Sequence, residues 1–148
     1  MKADMAGLDR RLTSVEALYK ALADRTRLRI LALLKTGEIC VCHVHESLGI
    51  PQPKASRHLA YLRRAGLVET RRQGLWIYYR LAEPFDRVSQ TLLSTAQHCL
   101  EHLPSSSRDR ERLKQRTGCC DVPVDASRQP VFSCCTVDGH ERPRGTTR

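Results

Sequence analysis

The feature of this sequence that most constrains its fold is a pair of short helical segments joined by a tight turn. The first covers roughly Val41–Leu48, and the turn follows over residues 49–51, Gly-Ile-Pro. Glycine readily ends a helix, and Pro53 suits a first helical turn, where a missing N–H costs little. The second segment runs to Ala65. Two short helices at this spacing predict a helix-turn-helix, whose second helix enters a DNA major groove.

The second segment has an apolar side and a polar side. Ala55, Leu59 and Leu62 recur at helical spacing and predict the buried face. The side chains that project elsewhere are polar, basic or aromatic: Ser56, Arg57, Tyr61 and Arg64. This division predicts that one face packs in a core while the other is presented to a partner.

Amphipathic helices are also predicted on both sides of this motif. Apolar residues recur every three or four positions over residues 8–23, and a core helix capped by Asp24 follows. Residues 84–103 form a further helix with one apolar stripe, made of Phe85, Val88, Leu92, Ala96, Cys99 and Leu103. A three-helix core cannot cover both surfaces, so we expect them to form a dimer interface.

Two β-rich segments follow the helix-turn-helix. Residues 67–71 and 75–81 read as strands, and residues 72–74, Arg-Gln-Gly, form a plausible hairpin turn. A basic hairpin directly after a recognition helix is a wing. The predicted fold class is therefore mainly α with a small β-hairpin (α+β): a dimeric winged helix-turn-helix.

The positive charge of the chain is concentrated in this region. The formal net charge is +9, and residues 52–80 contain seven lysines and arginines against the single acid Glu69. Such local concentration is typical of a surface that binds a polyanion. The alternative is a solvated basic face that serves solubility alone.

The seven cysteines indicate reduced thiols. Their number is odd, and four of them form two adjacent pairs. The chain starts without an apolar signal-peptide segment and contains no apolar stretch long enough to span a membrane. We therefore expect a cytoplasmic protein that does not contact membranes and uses its cysteines for metal or redox chemistry.

The composition changes after residue 103. Serines, alternating charges and scattered proline and glycine replace the periodic apolar pattern. This change predicts a winged-helix domain for DNA binding and dimerisation over residues 8–103. It also predicts a cysteine-containing, mostly disordered tail over residues 104–148, with room for one short charged helix.

Four sequence runs resemble the ArsR/SmtB family of bacterial repressors. They occupy residues 38–42 (EICVC), 51–59 (PQPKASRHL), 66–68 (GLV) and 73–81 (QGLWIYYRL), within a match over about residues 9–103. The chain is most similar to the type that responds to arsenite and antimonite. The resemblance implies a homodimer that binds operator DNA without ligand and releases it when an ion binds.

The resemblance also implies which residues would contact DNA. They lie on the recognition helix and in the wing: Gln52, Lys54, Ser56, Arg57, His58, Tyr61, Arg64, Arg71, Arg72 and Gln73. Arginine and glutamine can read base edges, whereas Lys54 and the wing arginines suit phosphate contacts. His58 either contacts the DNA or packs within the protein.

Cys40 and Cys42 match the position of the inducer site in the same family. Thiolates suit soft ions such as As(III) and Sb(III), which we expect as inducers in a protein without a permanently bound cofactor. The alternative is that both residues are small packing groups. Residues i and i+2 of a regular helix point about 200° apart. The two thiols can therefore share an ion only if the helix start is non-helical or unwinds.

The third ligand of such a site is open, because His45 stands where related sequences carry a third cysteine. One option is a tail cysteine, from Cys119, Cys120, Cys134 and Cys135. A second option is His45 or a water-derived group. A third is a different ion, Zn(II), held with His43 and His45.

A second, weaker metal site is implied on the last helix. Zinc-sensing relatives carry ligands there, and the matching positions include Asp86, Cys99 and His102. Val88 stands where the first histidine would be. Packing or solvation is the favoured explanation of these residues.

Other classes of protein fit the sequence less well. A thiol-dependent arsenate reductase would carry an arginine six positions after its cysteine, and none of the seven cysteines has one. A metalloid carrier would not need a basic helix-turn-helix and wing. Within the regulators, a zinc- or cadmium-responsive repressor and a thiol-oxidation sensor are the alternatives.

Overall fold

The computed structural model describes residues 2–84 and 86–116. Six helices and three strands follow one another in the order α1 (Lys2–Leu22), α2 (Arg25–Leu34), β1 (Ile39–Cys40), α3 (Val41–Leu48), α4 (Gln52–Arg64), β2 (Val68–Gln73), β3 (Trp76–Leu81), α5 (Arg87–Glu101) and α6 (Pro104–Arg116). The predicted fold class, a mainly helical winged helix-turn-helix, is confirmed.

Helices α3 and α4 form the helix-turn-helix. Gly49 ends α3 in the left-handed conformation at φ 66°, ψ 40°, which glycine adopts without steric cost. Its N–H donates to the carbonyl of Glu46, and the N–H of Ile50 donates to that of His45. Pro51 then caps α4, and the predicted apolar face of α4 is fully buried. The local sequence therefore sets this turn.

The wing differs from its prediction in the position of the turn. Strand β2 continues to Gln73, which pairs with Trp76 of β3. The turn therefore consists of Gly74 and Leu75, not residues 72–74. Gly74 has φ 60°, so the only glycine of this segment occupies the position that requires positive φ.

A third strand, β1, was not predicted. It has two residues, Ile39 and Cys40, and pairs antiparallel with β3, so the strand order is β1-β3-β2. Two residues are too short to show the alternation from which a strand is recognised. The consequence is that the first cysteine of the thiol pair belongs to the same sheet as the wing.

The last helix, α6, packs on the winged-helix core. Leu113 joins the main apolar cluster, and Asp109, only 2% exposed, accepts two hydrogen bonds of 2.7 Å from Arg29 of α2. The folded region therefore extends through the charged helix, past the boundary expected after residue 103. The predictions for residues 117–148 lie outside the described part of the chain.

Large apolar side chains remain exposed on α1 and near α5. Leu12 is 66% exposed and Tyr19 58%, and Val88 and Leu103 are also exposed.

Helix α5 begins at Arg87, three residues later than predicted, because Asp86 caps it by accepting from the N–H of Ser89. The predicted stripes also include Phe85 and the side chain of Leu8, which lie outside the described residues. No helix among the described residues is long and apolar enough to cross a membrane.

Candidate nucleic-acid interface and thiolate site

The outward face of α4 is polar and basic, as its sequence predicts. Lys54, Arg57 and Arg64 are exposed, while the remaining positions predicted to contact DNA are half-buried: Gln52, Ser56, His58 and Tyr61. The apolar side of the helix holds the backbone against the core. The basic side chains therefore project from a rigid support.

A shallow cationic depression lies between α2 and α4. Its lining comprises Arg27, Lys54, Arg57, His58, Ala60, Tyr61 and Arg64. The Arg27 guanidinium stacks 4.3 Å from the ring centre of Tyr61, and that of Arg64 lies 5.8 Å from it. Sequence reasoning missed Arg27, because only tertiary packing brings α2 beside α4. The charge and stacking of this depression suit a phosphate-bearing ligand.

The structure places His58 against the protein. Its Nδ1 lies 3.6 Å from Oδ1 of Asp24, the cap of α2. Burial lowers the pKa of His58, the neighbouring Arg27 lowers it further, and Asp24 opposes these effects. Because a lowered pKa favours the neutral imidazole, His58 supplies little positive charge for a phosphate contact near neutral pH.

The wing arginines both bond to acceptors within the protein. Arg71 donates from Nε and one terminal nitrogen to the carboxylate of Glu38, at 2.6 to 3.1 Å, and from its other terminal nitrogen to Gln73. Arg72 donates to the carbonyl of Gly74. Arg71, Arg72 and Gln73 are nevertheless exposed. The wing therefore presents exposed basic side chains, some of whose N–H groups already donate to acceptors within the protein.

Cys40 and Cys42 lie on either side of a strand-to-helix junction. Cys40 is the extended N-cap of α3 (φ −68°, ψ 148°), and Cys42 lies in the first helical turn. The thiol-bearing residues are 1% and 3% exposed and form one buried cluster, with Trp76 and Tyr78 of the wing strand packed against it. Cys40 is therefore non-helical, which is one of the two conditions under which both thiols could share an ion.

No complete ligand set is assembled around these thiols. Among residues 2–84 and 86–116, no group of three or more histidine, cysteine or acidic side chains is arranged to hold a metal ion. His45 is turned toward the end of α3, where its Nδ1 lies 3.3 Å from the carbonyl oxygen of Ile50. His43 is buried. The four tail cysteines lie outside the described residues.

The residues of the weaker second site are spread along α5. Asp86 caps the start of the helix, whereas Cys99 and His102 lie at its end. Asp86 and Cys99 are 13 positions apart in the sequence, which corresponds to about 20 Å along a helix. Near the end, His98 lies 3.8 Å from Glu101, which also pairs with Lys35. A single chain therefore does not bring the three predicted ligands together.

The fold and these surfaces define a class of protein, the winged helix-turn-helix regulators. The sequence profile described as "Bacterial regulatory protein, arsR family" matches residues 24–70. The chain is 46% identical over 83 residues to the arsenical resistance operon repressor of Escherichia coli, a match that spans 55% of this chain and 71% of that protein. The chain belongs to the ArsR family.

A second relative and two solved structures agree with this assignment. The arsenic resistance transcriptional regulator ArsR1 of Pseudomonas putida is 45% identical over 82 residues, which span 55% of this chain and 64% of that protein. A homodimeric winged helix-turn-helix domain, Mb0332 from Mycobacterium bovis, aligns with TM-score 0.55 and 37% identity, over 64% of this chain and 86% of that one. The antimony-specific transcriptional repressor AntR aligns with TM-score 0.50 and 30% identity, over 61% and 79%. These relatives are regulators, which agrees with the prediction that the chain is not an enzyme.

Proposed function

We propose that this protein is a homodimeric transcriptional repressor that binds operator DNA and releases it when As(III) or Sb(III) binds Cys40 and Cys42. Its relatives include an arsenical resistance operon repressor and an antimony-specific repressor. The Mycobacterium bovis domain is homodimeric. The exposed apolar residues of α1 and α5 offer a surface for the same kind of association.

DNA binding is assigned to the basic face of α4 and to the wing. Arg57 and Gln52 suit base edges in the major groove, and Lys54 and Arg64 suit the flanking phosphates. His58 is assigned to packing because it contacts Asp24. In the wing, Arg71, Arg72 and Gln73 would reach phosphates or the minor groove of the same duplex.

One observation carries the proposed switch: the two thiols belong to different parts of the DNA-binding unit. Cys40 lies in the sheet that contains the wing, and Cys42 lies in the helix that precedes the recognition helix. An ion that bonds to both thiolates would fix the angle between these parts. DNA binding also requires a particular arrangement of the wing and the recognition helix. Ion binding would therefore change the affinity for DNA, and DNA binding would change the affinity for the ion by the same factor.

The chemistry of the donors favours a soft, thiophilic ion. Two thiolates at a helix start also benefit from the positive end of the helix dipole. The third donor is a tail cysteine, His45 or a water-derived group, and His45 would have to turn away from Ile50 to serve. Zn(II) with histidine ligands is the competing assignment.

Titration of DNA binding with ions tests this proposal. A fluorescent duplex, selected from a random library by the wild-type chain, is titrated with protein in the presence of arsenite, antimonite, zinc or cadmium. Wild-type protein is expected to lose at least tenfold in affinity with arsenite or antimonite. The double variant Cys40→Ser/Cys42→Ser is expected to keep DNA binding and lose this response.

Three further proteins complete the experiment. Cys99→Ser, which changes an exposed cysteine on α5, should respond as wild type does. His45→Ala and a chain ending at residue 116 identify the third donor, and the second keeps α6 and its buried Asp109 intact. A response of the double serine variant to arsenite would refute the assigned site, and a response of wild type to zinc alone would replace the metalloid by zinc.

A further inference from the structure

A bidentate pair between Arg71 and Glu38 joins the wing to the segment that precedes β1. Three hydrogen bonds of 2.6 to 3.1 Å join the guanidinium to the carboxylate. The remaining terminal nitrogen donates to Gln73, and the guanidinium carbon lies 5.1 Å from the ring centre of Tyr78. All three nitrogens of Arg71 therefore have acceptors inside the protein.

The same contact lies beside the thiols. Glu38 directly precedes β1, two residues before Cys40. In the sheet, Cys40 pairs with Tyr78, and Tyr78 pairs with Arg71 on its other side. Cys40, Tyr78 and Arg71 thus form one row across the three strands. A displacement of β1 would change the position of Glu38 relative to Arg71.

We propose that Glu38 is a positioning residue that competes with DNA for Arg71, and that the strand carrying Cys40 sets how strongly it competes. In the ion-bound protein, Glu38 holds the wing arginine. In the DNA-bound protein, a DNA phosphate replaces Glu38 as the acceptor for Arg71. This inference rests on the proposed function, because it makes the Glu38–Arg71 pair the link between the ion site and the wing.

The exposure of the pair suits such an exchange. The side chains of Arg71 and Glu38 are 48% and 28% exposed. Most exposed ion pairs contribute little to stability, and solvent ions screen them. A phosphate is an equally good bidentate acceptor for arginine. DNA can therefore displace Glu38 without disturbing the core.

The hairpin contains a matched control pair. Glu69 of β2 pairs across the strands with Arg80 of β3, and their side chains approach to 3.2 Å. Glu69→Gln removes one negative charge from the wing region, as Glu38→Gln does. It leaves Arg71 bound to Glu38. Any effect of general charge on DNA binding therefore appears in both variants, and release of Arg71 appears in only one.

The first experiment uses the full chain without added ions. Binding to the selected duplex is measured by fluorescence anisotropy over a series of salt concentrations. Glu38→Gln is expected to bind about two- to fivefold tighter than wild type at low salt, and with a steeper salt slope, because added salt weakens the ion pair that only wild type must break. Glu69→Gln should show no change of slope. Equal slopes for the two variants, or weaker binding by Glu38→Gln, would overturn the competition.

A second background removes the arginine. In Arg71→Ala protein, Glu38→Gln is expected to change neither the affinity nor the slope beyond the effect of Glu69→Gln. A change as large as that in the wild-type background would show that Glu38 acts without Arg71, which contradicts the proposal. Circular dichroism and melting curves confirm that each variant is folded.

The third experiment adds arsenite and separates this inference from the proposed function. The loss of DNA affinity with arsenite should be about two- to fivefold smaller for Glu38→Gln than for wild type, whereas Glu69→Gln should match wild type. An equal loss in all three proteins would overturn the link to Cys40. If wild type does not respond to any ion, both the proposed function and the link between Cys40 and the Glu38–Arg71 pair are refuted. The salt slopes would still show whether Glu38 competes with DNA for Arg71.

Discussion

The two ends of α3 differ in how they are held. At the C-terminal end, Gly49 closes the helix, Arg29 and Arg112 donate to the carbonyls of Leu48 and Ser47, and α6 packs alongside. At the N-terminal end, the cap is Cys40, whose side chain makes no capping hydrogen bond. One end is braced by charged side chains and a further helix, and the other carries the thiols.

This difference suits a helix that transmits a signal. The turn to α4 follows the braced end, so the recognition helix keeps its place relative to the core. The thiol-bearing end meets the wing sheet, where a bound ion would act. Because an ion would bind at the thiols, whereas Arg29 and Arg112 hold the opposite end, we expect ion binding to move the N-terminal end first.

The largest expected effect is at the braced end. Asp109→Asn removes the buried charge that Arg29 pairs with, and we expect a loss of about 2 kcal/mol in the free energy of unfolding. Urea denaturation monitored by circular dichroism measures it. The matched control is Glu111→Gln, an exposed acid on the same helix, which should change stability by less than about 0.5 kcal/mol. Equal losses would mean that the Asp109–Arg29 pair does not stabilise the braced end.

A smaller effect is expected at the turn. Gly49→Ala places a side chain at φ 66°, with the new Cβ 3.3 Å from a terminal nitrogen of Arg112, and should destabilise the protein by about 1 to 2 kcal/mol. Gly66→Ala has a similar strain at φ 73° but no atom within 4 Å of its Cβ. A loss for Gly49→Ala below that for Gly66→Ala would contradict a tightly closed C-terminal end. Thermal melts of both variants provide the comparison.

The smallest effect is expected at the thiol-bearing end. Cys42→Ala removes one buried sulfur atom and should cost about 1 kcal/mol or less in unfolding free energy. Cys99→Ala, at an exposed position, should have almost no effect. If Cys42→Ala were as costly as Asp109→Asn, the two ends would be equally rigid. The same urea denaturation measures both cysteine variants.

The helix-turn-helix was predictable because its signals are local. Apolar residues spaced three and four apart, a helix-ending glycine and two prolines lie within about 25 residues of sequence. The wing turn was misplaced because β2 ends in Arg71, Arg72 and Gln73, polar residues that suit a turn as well as an exposed strand, so nothing in the composition marks where pairing stops. Strand β1 escaped prediction because its two residues, Ile39 and Cys40, pair with Tyr79 and Tyr78 only after the wing has folded beside them.

In the candidate site, too, local features were predictable and contacts between distant residues were not. Sequence reasoning proposed Cys40 and Cys42 through a family resemblance, with a helix start that is either non-helical or unwinds, and Cys40 has an extended conformation. It assigned Arg71 to DNA without Glu38, because these residues lie 33 positions apart. Arg27 was missed for a similar reason, since Tyr61 approaches it only across the packed helices.

The sequence by itself determined the winged helix-turn-helix and the placement of basic residues on α4, because periodicity and turn chemistry act over a few neighbouring residues. Only the tertiary structure decided that Glu38 holds Arg71, that His58 faces Asp24 and that Asp109 of α6 holds Arg29, which donates to the end of α3. Those contacts join residues far apart in the chain, and their partners depend on how the helices and the sheet pack.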